Sequence, residues 1–114
     1  MWEADRNLIY MKSLGEFKTL GGKLIAVEFD VVDGELRNVV VTGDFFLYPE
    51  EALPVLTGAL ENSPAALDEA SYAARIRTAL DSRAELVGSS PEALAVAVVR
   101  ALRDRAALER DDDG

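Results

Sequence analysis

The sequence contains no cysteine and no histidine. The first absence removes disulfides, thiolate metal sites and cysteine nucleophiles. The second removes the commonest general base and the commonest transition-metal ligand, so a Ser-His-Asp arrangement cannot be assembled from this chain. Long hydrophobic runs are missing too: charge or glycine interrupts each apolar stretch before the roughly 20 residues that a membrane span requires. The opening "MWEADRNLIY" carries Glu3 and Asp5 and no apolar h-region, so it does not read as a secretory signal. A cytoplasmic protein is expected. Basic charge is scarce as well. Against 21 Asp and Glu stand only 12 Lys and Arg, a net charge of −9. That balance excludes the basic field a nucleic-acid binder needs and favours a basic partner. The acids are spread along the chain without an evident paired motif, so independent catalysis is not expected.

What remains is the material of one globular domain: 114 residues, 49% of them hydrophobic, enough for a single core. Residues 24–32 alternate Ile25, Val27, Phe29, Val31 with Leu24, Ala26, Glu28, Asp30, the period-2 pattern of a half-buried strand. Asp33-Gly34 then supplies the two positive-φ residues of a type I′ hairpin turn. A plain two-residue turn sets Val31 opposite Leu36, Phe29 opposite Asn38, Val27 opposite Val40 and Ile25 opposite Thr42. On the other face it pairs Asp30 with Arg37, Glu28 with Val39 and Ala26 with Val41. Only Asn38 is out of place in this register. Upstream, "GEFKTLGGK" reads as a further antiparallel strand. A three-residue loop over 20–22, with a bulge, sets Phe17 on Ile25 and Lys18 on Leu24. A two-residue turn would instead bury a lysine, at greater cost.

After Tyr48 the period changes. Pro49-Glu50-Glu51 suits a helix N-terminus, and Leu53, Leu56 and Leu60 form an apolar stripe. Pro54 then requires a helix that starts near Leu53 or a distorted first turn. Ser63-Pro64 opens a second helical region with Leu67, Ala73, Ile76 and Leu80 inward, and Asp68 is available as a second cap. "ELVGSS", residues 85–90, reads as a connector. Ser90-Pro91-Glu92 then opens a last helix, with Leu94, Val98, Ala101 and Leu102 buried. The order β-β-β-α-α-α implies an α+β domain: a three-stranded antiparallel sheet with the helices packed on one face. Its expected extent is 14–108, after an N-terminal segment 1–13 and before an acidic, frayed tail 109–114.

Two groups of residues stand out as candidates. Lys12, Lys18 and Lys23 are the only lysines, all within the first 23 residues. Beside Gly21-Gly22 they form either a local basic spot or a guard against aggregation at an edge strand. A basic spot there could meet a phosphate or an acidic partner surface. Gly21 and Gly22, however, lack a Walker spacing and no helix starts directly after them, so alone they are weak evidence for phosphate binding. The second group is "GDFF", Gly43 to Phe46. Successive residues of an extended segment point to opposite sides, so one phenylalanine is expected in the core and the other is free to anchor a partner. With Phe46 as the inward one, Phe46→Ala lowers stability and Phe45→Ala weakens partner binding. Asp44 reads as a turn or capping residue. Trp2 and Tyr10 lie in a segment without clear periodicity.

The ordered set goes further. "EFKTLGGKLIAVEFDVVDGELRNVVVTGDFFLYPEEAL", residues 16–53, resembles the accessory domain of lipoate–protein ligases. The features that match are Lys18 before Gly21-Gly22-Lys23, the Asp33-Gly34 turn, and Gly43-Asp44-Phe45-Phe46 leading to Pro49-Glu50-Glu51. "ELVGSSPEALAVAVVRAL" is similar to that domain's last connector and helix, so the resemblance covers about 14–103. In this family the accessory unit is the C-terminal domain of the ligase or a small separate subunit. The sequence begins with Met1 and carries no ligase catalytic domain, so the resemblance implies the separate subunit of a heterodimer. The catalytic subunit binds lipoate, ATP and Mg, forms lipoyl-adenylate and transfers the lipoyl group to a lysine of a carrier protein. The accessory unit binds no cofactor alone and supports adenylate formation. The resemblance further implies that Lys18, Gly21, Gly22, Lys23, Asp44, Phe45 and Phe46 lie nearest the partner or its active site. The family's fold is similar to that of iron–sulfur scaffold and sulfur-transfer proteins, whose chemistry needs the cysteines this chain lacks. A generic interaction module of the same fold is the remaining alternative.

Overall fold

The computed structural model describes residues 13–19, 23–81 and 83–113, the stretch from 105 onward as backbone. Lys12, Trp2, Tyr10 and Gly21-Gly22 lie outside the described residues. Strands β1 (Ser13–Lys18), β2 (Leu24–Val32) and β3 (Glu35–Gly43) form an antiparallel sheet in the order β1-β2-β3. Then come a short strand β4 (Phe46–Tyr48), a 3₁₀ turn over Glu50–Ala52, and helices α1 (Leu53–Leu60) and α2 (Glu69–Leu80). Strand β5 (Glu85–Val87) and helix α3 (Pro91–Asp113) complete the chain. The expected α+β order is present, with the helices on one face of the sheet. The helical backbone of α3 also runs through 109–113, the stretch expected to be frayed.

The core follows the strand alternation. Ile25, Val27 and Phe29 of β2 and Leu36, Val39 and Val41 of β3 are buried. They meet Leu56 and Leu60 of α1, Tyr72, Ala73, Ile76 and Leu80 of α2, and Leu94, Val98 and Ala101 of α3. Burying a side chain such as Phe29 contributes about 1.5–3 kcal/mol. Tyr72, absent from the expected apolar line, is wholly buried, and its hydroxyl donates to the Pro64 carbonyl at 2.6 Å. Burial pushes that phenol upward in pKa, which keeps it a donor. Leu102 is only half-buried; Ala93, Ala95 and Ala97 are buried with the rest. These small side chains let α3 approach β1 closely. A Cβ on Gly15 would lie 2.0 Å from the Ala97 carbonyl oxygen.

The β1–β2 register is the one that keeps lysine out of the core: Phe17 faces Ile25 and Lys18 faces Leu24. The β2–β3 register holds only near the turn. Val31 faces Leu36 and Asp30 faces Arg37, but the next pairs are Glu28↔Val40, Val27↔Val41, Ala26↔Thr42 and Ile25↔Gly43. Two residues, Asn38 and Val39, therefore stand against Phe29 alone, a β-bulge. Asn38 takes φ 57, a left-handed conformation that asparagine tolerates better than most residues. The bulge corrects the expected pairing for a physical reason. Asn38 would otherwise point into the core opposite Phe29, and one extra residue turns it outward and brings Val39 and Val41 in.

Glu61, just past α1, completes the bulge. Its carboxylate accepts the Asn38 N–H at 2.8 Å and the Val39 N–H at 3.1 Å. Segment 62–65 covers the start of the same strand edge, with Leu36 N–H donating to Ser63 O and Ala65 N–H to Gly34 O. Hydrogen bonds to a charged group contribute about 1.5–3 kcal/mol. Glu61→Ala is therefore expected to lower the unfolding free energy by about 2 kcal/mol in urea titration. Glu61→Gln, with one acceptor oxygen left, falls between it and the parent.

Two of the three expected helix starts hold. Ser63-Pro64 does not open a helix, because this segment runs along the β3 edge, with Pro64 bridging Glu35, and α2 starts only after Asp68. Pro49 precedes the 3₁₀ turn and the α-helix begins at Leu53 with Pro54 in its first turn. Ser90 Oγ accepts from the Ala93 N–H at 3.0 Å, and Arg77 at the end of α2 pairs with Glu92. Asp68 caps α2, accepting from the Ser71 N–H at 2.9 Å. Hydrogen bonds from Ser71, its side chain first and its backbone second, hold the Asp68 carboxyl below its ordinary value of 3.8. A carboxyl lowered in the folded state stabilises above the unfolded value and loses that contribution as pH falls through the folded value. Asp68→Ala is thus expected to lower the melting temperature at neutral pH. The gap from the parent should close in acid well below 3.8, as paired thermal melts will show.

Candidate functional site

The sheet ends where β2 begins and β3 stops, and the "GDFF" segment leaves from this end. Gly43 has φ +148, and a Cβ there would lie 2.4 Å from the Leu24 carbonyl oxygen. Glycine is required by both the conformation and the space. Asp44 then closes the ladder twice: its N–H donates to Leu24 O at 2.9 Å, and its Oδ2 accepts the Leu24 N–H at 3.1 Å. Its capping role is local, and the carboxylate remains exposed.

The two phenylalanines divide as expected, but in the opposite sense. Phe45 is half-buried and packs on the core, whereas Phe46 is 72% exposed. The cause is β5, which the connector reading of 85–90 did not contain. Phe46 pairs with Val87, Leu47 with Leu86 and Tyr48 with Glu85. With Leu47 buried, period-2 alternation forces Phe46 and Tyr48 to the other side, and Tyr48 is 75% exposed. Phe45, placed before the ribbon, turns inward instead. The exposed residues Phe46, Tyr48 and Val87 therefore share one face of a two-stranded ribbon. A shallow groove beside it is lined by Val41, Gly43, Phe45, Phe46 and Leu53. A three-residue strand carries too little alternation to stand out in a sequence, so β5 and the roles of Tyr48 and Val87 were not legible.

The two described lysines, Lys18 and Lys23, leave opposite faces of the sheet. Lys18 faces Leu24 on the outer, helix-free face of the sheet. The Thr19 N–H donates to Lys23 O at 2.9 Å, which sets Lys23 across from Thr19 and on the opposite face from Lys18. Gly88, with φ +90, shows where the ammonium goes. A Cβ on Gly88 would meet the Asp44 carbonyl at 3.2 Å and both Lys23 Nζ and Phe45 Cα at 3.5 Å. Lys23, Asp44, Phe45 and Phe46 thus come together at one end of the sheet, with Lys18 around the corner. Elsewhere, Arg100 lies 5.0 Å over the Phe17 ring and donates to Glu16 O at 3.1 Å, covering part of the β1 edge.

Chemically, this end of the molecule offers exposed aromatics, one ammonium group and carboxylates. Among the described residues no three or more acids gather as metal ligands, and no helix is long and apolar enough to cross a membrane. Exposed aromatics on a paired ribbon suit contact with another macromolecule.

No family model matches the sequence, and no curated protein matches it. Among solved structures the fold is similar to a chain from the structure of a bipartite lipoate protein ligase and its E2 lipoyl domain from Thermoplasma acidophilum. The TM-score is 0.63 at 24% identity, over 78% of this chain and 96% of that one. At that identity the likeness is one of fold, and it extends over nearly the whole of the archaeal chain.

Proposed function

We propose that this chain is the non-catalytic accessory subunit of a two-part lipoate–protein ligase. It binds the catalytic subunit and supports formation of lipoyl-adenylate from lipoate and ATP, before transfer of the lipoyl group to a carrier-protein lysine. Lipoate, ATP and Mg belong to the catalytic subunit in this reading, and the carrier is an indirect partner. The observation that carries the proposal is the fold likeness to the archaeal chain over 96% of that chain's length. The motif resemblance over 14–103 supports it from the side of the sequence. Of its quoted elements, Asp33-Gly34 falls at the hairpin turn and Gly43 to Phe46 at the exposed end of the sheet. The absence of cysteine and histidine suits a subunit that assists chemistry performed elsewhere.

Complex formation tests the proposal directly. Mixed with the lipoate–protein ligase catalytic subunit of the same organism, the chain is expected to co-elute as a one-to-one heterodimer in size-exclusion chromatography with light scattering. Separate elution of two folded proteins at micromolar concentration would leave the fold without this role.

A further inference from the structure

The ribbon of β4 and β5 carries more than the fold requires. On its inner face Leu47 is buried and Leu86 packs against the core. On its outer face Phe46, Tyr48 and Val87 stand in solvent. Scattered exposed apolar residues are ordinary, but these are neighbours: Phe46 and Val87 are cross-strand partners, and Tyr48 follows two residues on. Register locks the arrangement, since the ribbon cannot turn the aromatics inward without turning Leu47 out. It is also held at both ends. The Asp44–Leu24 hydrogen bonds precede it, and the 3₁₀ turn with buried Ala52 follows it. Aromatic side chains on a stiff support lose little entropy on contact and act as anchors in protein interfaces.

Charge indicates what fits there. Glu50 and Glu51 follow β4 after Pro49, and Glu85 sits opposite Tyr48; all three are exposed. The far end of the strip, past Val87, reaches Gly88 and Lys23 beside Asp44. The strip is thus acidic at its Tyr48 end within a chain of net charge −9. A second copy of the chain brings the same excess of acid, and an anionic lipid surface brings more, so both are repelled. A protein pocket edged with Lys or Arg is attracted and oriented.

We infer that the outer face of this ribbon, with Phe46 and Tyr48 as anchors, docks the chain on the ligase catalytic subunit. The inference rests on the accessory-subunit reading and names its contact: an apolar pocket on the catalytic subunit, flanked by basic side chains where Tyr48 and Glu85 arrive. Lys18 and the outer face of the main sheet take no part in it.

The test is titration calorimetry of the full-length chain and its variants with the catalytic subunit, at low and at high salt. Phe46→Ala and Tyr48→Ala are each expected to weaken binding about tenfold or more with unchanged melting temperature. Glu50→Lys combined with Glu85→Lys should weaken binding at low salt and flatten its salt dependence. Lys18→Ala should leave the dissociation constant unchanged. Parent-like affinity in both aromatic variants, with the parent itself binding, would overturn the docking face while leaving the accessory role standing. A parent that does not bind removes the accessory reading and this face together. A concentration-dependent homodimer abolished by Phe46→Ala would also overturn the inference, by assigning the face to a second copy.

Discussion

Gly15→Val is expected to abolish stable packing of α3 on the sheet. A Cβ at this position would lie 2.0 Å from Ala97 O, 2.6 Å from Ala101 N and 2.9 Å from Ala101 Cβ. Two of these three atoms belong to the helix backbone, which has no rotamer with which to move aside. Relief requires α3 to shift away from β1 as a body, opening the seam formed by buried Ala97, Val98 and Ala101. Overpacking ordinarily costs about 1–3 kcal/mol, and this case lies at or beyond the upper end. Gly15→Ala is therefore expected to remove about 3 kcal/mol and Gly15→Val more. Out of a total of about 5–15 kcal/mol, the valine variant should be largely unfolded at mild urea concentrations. Gly58→Ala is the internal control. Gly58 lies within α1 and a Cβ there meets nothing within 4 Å. Its replacement should stabilise by about 0.5–1 kcal/mol through helix propensity alone. Urea titrations followed by far-ultraviolet circular dichroism read both. A neutral Gly15→Ala would mean that α3 does not rest on β1 as described.

The second large effect is expected at Gly43, where stability and the candidate site meet. Alanine at φ +148 is strained whatever the space, at about 1–3 kcal/mol. Its Cβ would also press to 2.4 Å from Leu24 O and 2.9 Å from Ile25 Cα. Leu24 O is the acceptor of the Asp44 N–H, and Leu24 N–H donates to Asp44 Oδ2. Relieving the contact therefore breaks the clamp from which Phe45 and the ribbon depart. Gly43→Ala is expected to cost about 3 kcal/mol in urea titration. At temperatures where it stays folded, it should also bind the catalytic subunit more weakly. Asp44→Ala removes one hydrogen bond and leaves the backbone alone, so its cost is about 1 kcal/mol. Equal effects of the two substitutions would show that side-chain capping, and not the glycine backbone, holds this end of the sheet.

Legibility in the sequence followed the strength of the local pattern. Alternation over nine residues placed β2 and β3, and two positive-φ residues placed their turn, Asp33 at φ 54 and Gly34 at φ 78. The cost of burying Lys18 was enough to select the β1–β2 register, because only one loop length avoids it. Beyond Arg37 the register was not legible, although the misfit that breaks it was visible. Asn38 opposite Phe29 stood in the middle of an apolar face, and a left-handed asparagine is one of the few ways a strand can discard such a residue. The Glu61 carboxylate that holds the bulge comes from 22 residues further along the chain, and nothing local announces a contact of that span.

The candidate site was legible in its composition and not in its geometry. "GDFF" does mark the exposed end of the sheet, and its two phenylalanines do separate. Which one faces out depends on a three-residue partner strand some 40 residues away in sequence, and β5 reverses the expected assignment. Lys18 and Lys23, neighbours in the sequence, leave opposite faces of one antiparallel pair because strands alternate. Gly21 and Gly22 lie outside the described residues, and their place beside the partner is what the resemblance alone implies.

The central claim, that this chain assists a lipoate ligase, is tested most directly by following pyrophosphate. Lipoate-dependent release of pyrophosphate from ATP should be measured with the catalytic subunit of the same organism, alone and with increasing amounts of this chain. An accessory subunit is expected to raise the rate until the two proteins are near equimolar and no further. An unchanged rate at every ratio, with both proteins folded and the catalytic subunit active, would contradict the claim.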